Sequence, residues 1–194
     1  MRANILSVGV IVGLLTLGSL VPQIAKAQET EHGADYGTLL KVLPNSKHSL
    51  AEGIRQSAKS GEVPISAKFE LNDEGKLSLS IYTAEKGLTT DAEHNVLKEL
   101  SGSPESAQWN PEVEVFKDAE HLKRAAAQQT LLALSSMSLL DVIAKAEKQQ
   151  RGTVFSITPV VRNQKPEFVV LVSNNNKVTE LSYDLMTGKP IPSK

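Results

Sequence analysis

One arrangement of signals occurs twice in this chain, about ninety residues apart, and it constrains the fold more than any other feature. The segment Ser49–Glu52 (Ser-Leu-Ala-Glu) has the pattern of a capping box, in which serine and glutamate satisfy each other's backbone N–H groups. The segment Ser138–Asp141 (Ser-Leu-Leu-Asp) repeats it with aspartate in the acidic position. Each box opens a helix with an apolar face, which ends at Gly61 or Gly152. A repeated order of elements predicts two related structural units.

Alternating apolar residues after each helix predict antiparallel strands. In the first unit they cover Val63–Leu71 and Leu77–Ile81, with the turn residues Asn72–Gly75 between them. In the second unit, strands are predicted at three segments: Val154–Val161, Phe168–Val172 and Val178–Tyr183. Pro159 has no backbone N–H, so the strand that contains it is expected at a sheet edge or at a bulge.

The third strand of the first unit has two interpretations. Leu88–Thr90 occupies the position where this strand is expected. The alternative is a short helix over Asp91–Leu100, because Val96, Leu97 and Leu100 have helical spacing.

A turn motif closes each predicted unit. In the second unit, Asp184 can accept backbone N–H groups and Gly188 can adopt a positive φ. Asp91 and Asn95 take the corresponding places in the first unit, and asparagine is the residue other than glycine that best tolerates the left-handed region. We therefore predict structural turn roles for these four residues.

The second unit resembles the PepSY family. The resemblance rests on the order helix, strand, strand, strand, on the segment Ser138–Glu147, and on the closing segment Tyr183–Lys189 (Tyr-Asp-Leu-Met-Thr-Gly-Lys). It extends well over residues 138–191 and more weakly over residues 49–100. PepSY modules are small exported or membrane-linked domains, found among other places in peptidase propeptides, and the resemblance implies no catalytic residue. The expected fold class is α+β: two PepSY-like units, each a helix packed on a curved antiparallel sheet of three to four strands, joined by a linker and a helix.

We expect five segments: a signal peptide (residues 1–27), a flexible arm (28–48), the first unit (49–100), a linker with a bracing helix (101–137) and the second unit (138–194). Asp118 is predicted to cap the bracing helix. Trp109, the single tryptophan, lies in the linker and is the candidate binding residue, because tryptophan is enriched at binding hot spots. Burial between the two units is the more frequent role for such a residue.

The amino terminus has the features of a secretory signal. Arg2 precedes an apolar stretch from Ile5 to Val21, and Ala25-Lys26-Ala27 presents small residues where a signal peptidase reads them. Cleavage before Gln28 leaves no stable membrane anchor; an uncleaved anchor is the weaker alternative, because glycine and serine interrupt the stretch. An exported chain without cysteine fits a bacterial periplasm, so we expect a periplasmic or secreted protein.

Composition and motifs exclude several classes of function. A net charge of −1 and 4% aromatic residues offer neither a basic surface nor a stacking platform for nucleic acid. The absence of cysteine removes thiolate metal sites and cysteine nucleophiles. The sequence lacks a nucleophile elbow, a zinc-protease helix motif and a phosphate-binding glycine loop. We therefore expect no enzyme, no catalytic residue and no cofactor.

The tetrapeptide Asp-Ala-Glu-His occurs twice, ending at His94 and at His121. Histidine and carboxylate are common metal ligands, but each copy lies at a turn or helix start, where backbone N–H groups favour an acid. We predict structural roles and no metal site. The cluster of Ser135, Ser136 and Ser138 is assigned to helix capping instead of nucleophilic catalysis.

The favoured function is an exported, non-catalytic module that binds a protein or peptide through an exposed edge or face of its sheet. Restraint of a peptidase is the version that the PepSY resemblance implies. The alternative is an envelope structural protein, or one that senses a small ligand enclosed by the paired units; the low aromatic content disfavours such a pocket.

Overall fold

The structure is a computed structural model that describes residues 36–58 and 61–192. Its helices are α1 (Gly37–Val42, continued by a 3₁₀ turn at Leu43–Asn45), α2 (Leu50–Ala58), α3 (Ala119–Leu134) and α4 (Leu139–Gln149). Its strands are β1 (Val63–Leu71), β2 (Leu77–Ala84), β3 (Leu97–Gly102), β4 (Glu112–Val115), β5 (Thr153–Arg162), β6 (Lys165–Asn174), β7 (Lys177–Asp184) and β8 (Pro190–Ile191). The expected signal peptide lies outside the described residues. Within them, no helix is both long and apolar enough to span a membrane.

All eight strands belong to one antiparallel sheet, in the order β4-β3-β2-β1-β5-β6-β7-β8. The expectation of two units with separate sheets is therefore wrong. β1 pairs antiparallel with β5 at Ala67–Ile157 and Lys68–Ser156, so the first strand of each half covers the open edge of the other. Read outward from this central pair, each half still follows one order, a helix and then four strands.

The two central strands carry a β-bulge at matching places, between Pro64 and Ser66 in β1 and between Val154 and Ser156 in β5. Of the two positions expected from Pro159, an edge or a bulge, the edge is wrong because β5 lies in the middle of the sheet. The strand does contain a bulge, but at Val154–Ser156 rather than at Pro159. The β1–β5 ladder has only two residue pairs, and Pro159 lies beyond them with a strand neighbour on the β6 side alone. A strand tolerates proline where one side of its backbone is outside a ladder.

Helices α2 and α4 begin at the predicted capping boxes. Ser49 N–H donates to Glu52 Oε2 (2.7 Å), and Ser138 N–H donates to Asp141 Oδ2 (3.0 Å). In α2 the buried residues are Leu50, Gly53, Ile54 and Ser57, whereas Ala58 is exposed. Gly53 permits a close approach to the sheet, since a Cβ there would lie 2.7 Å from Leu79 Cδ2. In α4 the predicted apolar face is confirmed by burial of Leu139, Val142, Ile143 and Ala146.

Helix α3 contacts the opposite face of the sheet from α2. Ser66 Oγ donates to Gln128 Oε1 of α3 (2.7 Å), and Ser66 lies opposite Tyr82 in the β1–β2 register. Tyr82 and Leu79 point to opposite faces of β2 because successive side chains alternate. Asp118 caps α3 as predicted and accepts from the N–H groups of Glu120 (3.2 Å) and His121 (3.0 Å).

Two further segments differ from expectation. Residues 37–45, assigned to a flexible arm, are helical, and they bury Leu39, Leu40 and Leu43 in the core. The third strand of the first half is β3 rather than Leu88–Thr90, and residues 91–100 are not helical. Leu97 lies opposite Ala84 and Leu100 opposite Ile81, so the two leucines occupy different faces. Burial on both faces of β3 produces the three-residue spacing that resembled a helix.

Candidate functional site

The two edges of the sheet differ in length and exposure. β8 has two residues, whereas β4 has four, and all four are exposed. Within the described ranges no strand pairs with the outer side of β4. Val113 and Val115 remain 58% and 43% exposed. β4 is therefore the longer open edge, and an open edge is a template for strand addition.

The register of β3 and β4 determines which backbone groups of β4 point away from the sheet. Phe116 N–H donates to Leu97 O (3.0 Å), and Glu114 lies opposite Glu99 two residues along the same antiparallel ladder. Hydrogen-bonded pairs alternate along such a ladder, so Glu112 and Glu114 exchange bonds with β3. The N–H and C=O groups of Val113 and Val115 consequently point outward, where a further strand would meet them.

The charged and the apolar side chains of β4 lie on opposite faces of the sheet. Glu112 and Glu114 occupy one face of the sheet, with Glu114 directly opposite Glu99. Val113 lies on the other face, opposite Leu100. Like charges directly opposite each other destabilise a strand pair. Among the described residues, no ion pair neutralises Glu112 or Glu114.

The acidic face affects the titration of Glu99. Burial raises the pKa of this carboxyl above its usual range, and the carboxylates of Glu70 and Glu114 raise it further, against the opposing effects of Ser80 and Lys68. The charged form of Glu99 is therefore disfavoured, first by its burial and then by the neighbouring carboxylates.

Cations near the acidic face are engaged elsewhere. Lys68 Nζ lies 2.6 Å from Glu70 Oε2 and 5.7 Å from the ring centroid of Tyr82. Lys98 lies opposite Val115, on the other face, and its Nζ is 2.8 Å from Glu62 Oε1. Burial raises the pKa of Tyr82 to about 12, so its phenol stays protonated at neutral pH. The region combines a hydrogen-bonding edge, an acidic side and an apolar side, and each of these can contact an added strand.

A second feature is an apolar cleft of about 350 Å³ between the end of α2, the start of β1 and the α3–α4 turn. Its apolar lining includes Ile54, Val63, Leu88, Leu132, Leu139 and Leu140. The three serines in its wall are used by the fold: Ser135 Oγ donates to Leu185 O (2.8 Å), Ser136 Oγ donates to Met186 O (3.4 Å), and Ser138 caps α4. The cleft therefore suits an apolar group.

Trp109, the predicted binding residue, is 1% exposed. Its Nε1 donates to Gly102 O (3.3 Å), and Gln56 Nε2 donates to its carbonyl oxygen (2.6 Å). These contacts tie it to β3 and α2 of the first half. A side chain so buried offers no surface to a partner, which agrees with the burial given above as the more frequent role of such a residue.

In the second half, the turn residues have the geometry the sequence suggests. Gly188 has a φ of 61°, and Asp184 Oδ1 accepts from Thr187 N–H (2.8 Å). The hydrogen bond from the Thr187 hydroxyl, together with that backbone bond, lowers the pKa of Asp184.

In the first half, the geometry at Asn95 differs from the prediction. Its φ is not positive; at the start of this connection, Gly87 has the positive φ (75°). Asn95 acts through its side chain instead: Oδ1 accepts from Lys86 N–H (2.9 Å) and Nδ2 donates to Gly87 O (2.8 Å). The residue thus fastens the two ends of the connection together.

Each Asp-Ala-Glu-His copy closes on itself. Asp91 Oδ1 lies 2.6 Å from His94 Nδ1, and Asp118 Oδ2 lies 2.8 Å from His121 Nδ1. The histidine side chain is the main cause that lowers the pKa of Asp91, whereas the His121 backbone N–H is the main cause for Asp118. Across the described ranges, no group of three histidine, aspartate or glutamate residues is arranged to hold a metal ion.

Sequence reasoning missed β4, because the whole of residues 101–137 was assigned to a linker and a bracing helix. The run Glu-Val-Glu-Val has the period of two that marks a strand with two different faces. Four residues are at the short end of strand lengths, which weakens the signal.

Comparison with known proteins does not assign this chain to a family. No family model and no curated protein matches the sequence. Among solved structures, the chain is similar to a candidate lipoprotein from Clostridium difficile 630, with 13% identity and a TM-score of 0.39, over 76% of this chain and 92% of that chain. A similarity of this size carries no inference about function, which is therefore argued from β4 itself.

Proposed function

We propose that this protein is a non-catalytic binding module that captures an extended segment of another protein along β4. The observation that carries the proposal is the exposed strand Glu112–Val115, with the backbone groups of Val113 and Val115 directed outward. An added strand gains affinity from main-chain hydrogen bonds and selectivity from its alternating side chains.

Packed aromatic side chains flank β4 in the sequence and fix its position. Phe116, directly after β4, is buried, and its ring centroid lies 5.6 Å from that of Tyr82 and 5.3 Å from that of His121. Before the amino-terminal end of β4, the Trp109 ring covers Gly102, the last residue of β3. A strand fixed at both ends loses little conformational freedom on binding, which favours affinity.

The experiment uses peptides, because the natural partner is unidentified. Eight-residue peptides that alternate valine with threonine, lysine or glutamate are titrated into the ¹⁵N-labelled protein, and the amide signals of Val113 and Val115 are followed. We expect at least one peptide to shift both signals. Val113→Pro should abolish that binding, because it removes an outward donor while leaving the bonds to β3 intact. Binding unaffected by Val113→Pro would show that the peptide lies elsewhere.

Export is part of the proposal and rests on the amino-terminal sequence. If residues 1–27 are removed, the intact mass of periplasmic material corresponds to a chain that begins at Gln28. Recovery of the full-length chain in the membrane fraction would contradict this. A peptidase is the partner that the PepSY resemblance implies.

The apolar cleft favours a second candidate function, the binding of a small apolar ligand. A fluorescent apolar dye tests it. Ala58→Phe would place a ring in the cleft and should displace the dye, whereas Val113→Pro, far along the chain at the edge strand, should leave dye binding unchanged. Dye binding that survives Ala58→Phe would exclude the cleft as the site.

A further inference from the structure

We propose that the segment captured at β4 alternates basic and apolar residues, with its basic side chains on the side of Glu112 and Glu114. This inference rests on the proposed function and specifies the chemistry of the partner. It follows from the register of the edge, from the charges around it and from the exclusion of a second copy of this chain.

The register places the partner's side chains close to the glutamates. An antiparallel strand that bonds to the outward groups of Val113 and Val115 forms hydrogen-bonded pairs with those two residues. Glu112 and Glu114 then stand at non-hydrogen-bonded positions, where paired Cα atoms are about 4.5 Å apart instead of about 5.5 Å. A lysine or arginine opposite Glu114 therefore reaches its carboxylate directly.

The charges around the edge favour a cation at that position. Glu114 already lies opposite Glu99 of β3. Lys68 and Lys98 form their ion pairs with Glu70 and Glu62. A basic residue from the partner would neutralise charge that the described part of this chain leaves uncompensated. On the opposite face, exposed Val113 and Val115 offer apolar contact, so the intervening partner residues are apolar.

A second copy of this chain does not satisfy these requirements. When two β4 strands pair antiparallel with matching faces, two registers join three residues of each strand. One register sets Glu114 against Glu114, and the other sets Glu112 against Glu114. Either places like charges directly opposite each other, which destabilises the pair. Pairing between two copies of β4 is therefore disfavoured, and pairing with a basic strand is favoured.

The test compares labelled peptides by fluorescence anisotropy at low salt. The alternating Lys-Val peptide should bind about tenfold more tightly than the alternating Thr-Val peptide, the sum of two cross-strand charge pairs. The double variant Glu112→Gln/Glu114→Gln should remove that difference between the two peptides. Glu147→Gln makes the same kind of charge change at an exposed position of α4 and should have no effect.

A peptide with four lysines followed by four valines controls for general attraction between charges. If it binds as tightly as the alternating peptide, the strand-based preference is wrong. If Lys-Val and Thr-Val peptides bind equally and both shift the amides of Val113 and Val115, the basic preference is wrong but edge capture stands. If no peptide shifts those amides, edge capture itself fails and the preference fails with it.

Discussion

The two halves of the sheet end differently although they begin alike. In the second half, a tight turn joins β7 to the short strand β8: Asp184 N–H donates to Lys189 O (2.9 Å), and Gly188 N–H donates to Asp184 O (2.7 Å). In the first half, residues 103–111 separate β3 from β4, and this longer connection contains the buried Trp109. The half with the short last connection thus ends in a two-residue edge strand, and the half with the longer one ends in a four-residue edge strand.

The faces beside these edges differ in the same sense. In the second half, Arg162 provides a positive charge, with Nη1 2.5 Å from Glu180 Oε1 and Nε 3.4 Å from Glu167 Oε1. In the first half, Glu114 and Glu99 face each other across the outermost strand pair. On this face, the glutamates of the second half are paired with an arginine, whereas among the described residues no ion pair neutralises Glu114.

The largest effect is expected at the turn between β7 and β8. Gly188→Val should lower the free energy of unfolding by about 3 kcal/mol, because it combines a strained positive φ with overlap between the new Cβ and Met137 Sδ. Gly75 has a similar φ of 73° with nothing near the position of a Cβ, so Gly75→Val should cost about 1 kcal/mol. Chemical denaturation measures both, and equal losses would show that the packing around Gly188 contributes nothing.

The next effect separates the two sides of β4. Glu114→Pro removes an N–H that bonds to β3 and should cost about 2 kcal/mol, whereas Val113→Pro removes an outward N–H and should cost less than about 1 kcal/mol. Thermal or denaturant unfolding of the two variants gives the order. A larger loss for Val113→Pro would mean that the Val113 N–H bonds to β3 and the Glu114 N–H points outward. The outward groups proposed for strand addition would then be the wrong ones.

Asn95 tests the connection before β3. Asn95→Val removes the side-chain hydrogen bonds to Lys86, Gly87 and Val96, and should lower the free energy of unfolding by about 1 kcal/mol or slightly more. Asn95→Asp keeps the two bonds to the Oδ1 acceptor and should cost less. If the two variants unfold alike, the Oδ1 bonds do not stabilise the connection.

The smallest effect concerns the charge of Glu99. Because its pKa is raised in the folded state, the protonated form is favoured, and its contribution to stability is present below the unfolded value of about 4.3 and lost as pH rises through the folded pKa. Glu99→Gln should therefore raise the melting temperature at pH 7 more than at pH 3. Glu147→Gln, at an exposed position of α4, should show no such difference between the two pH values. An equal change at the two pH values for Glu99→Gln would contradict the raised pKa of Glu99.

The helix starts were predictable because each depends on neighbours within three or four positions. The capping boxes at Ser49 and Ser138 and the cap at Asp118 follow from hydrogen bonds between residues close in sequence. The turn at Gly188 follows from the special backbone freedom of glycine. The candidate site was harder to predict from the sequence. A strand is an edge only if no other strand pairs with its outer side, and this depends on the whole sheet.

By itself, the sequence determined the local elements and their repeated order, since helix caps, apolar periods and hairpin turns are interactions of short range. The tertiary structure decided how the halves meet. The sequence predicts the first strand of each half but not how the two meet. Only the pairing of Ala67 with Ile157 shows that each strand covers an edge of the other. It also placed Trp109 in the core and gave Asn95 its bridging role. Among the described residues, it left the outer side of β4 without a partner strand. These outcomes depend on contacts between residues far apart in the chain, which no local pattern encodes.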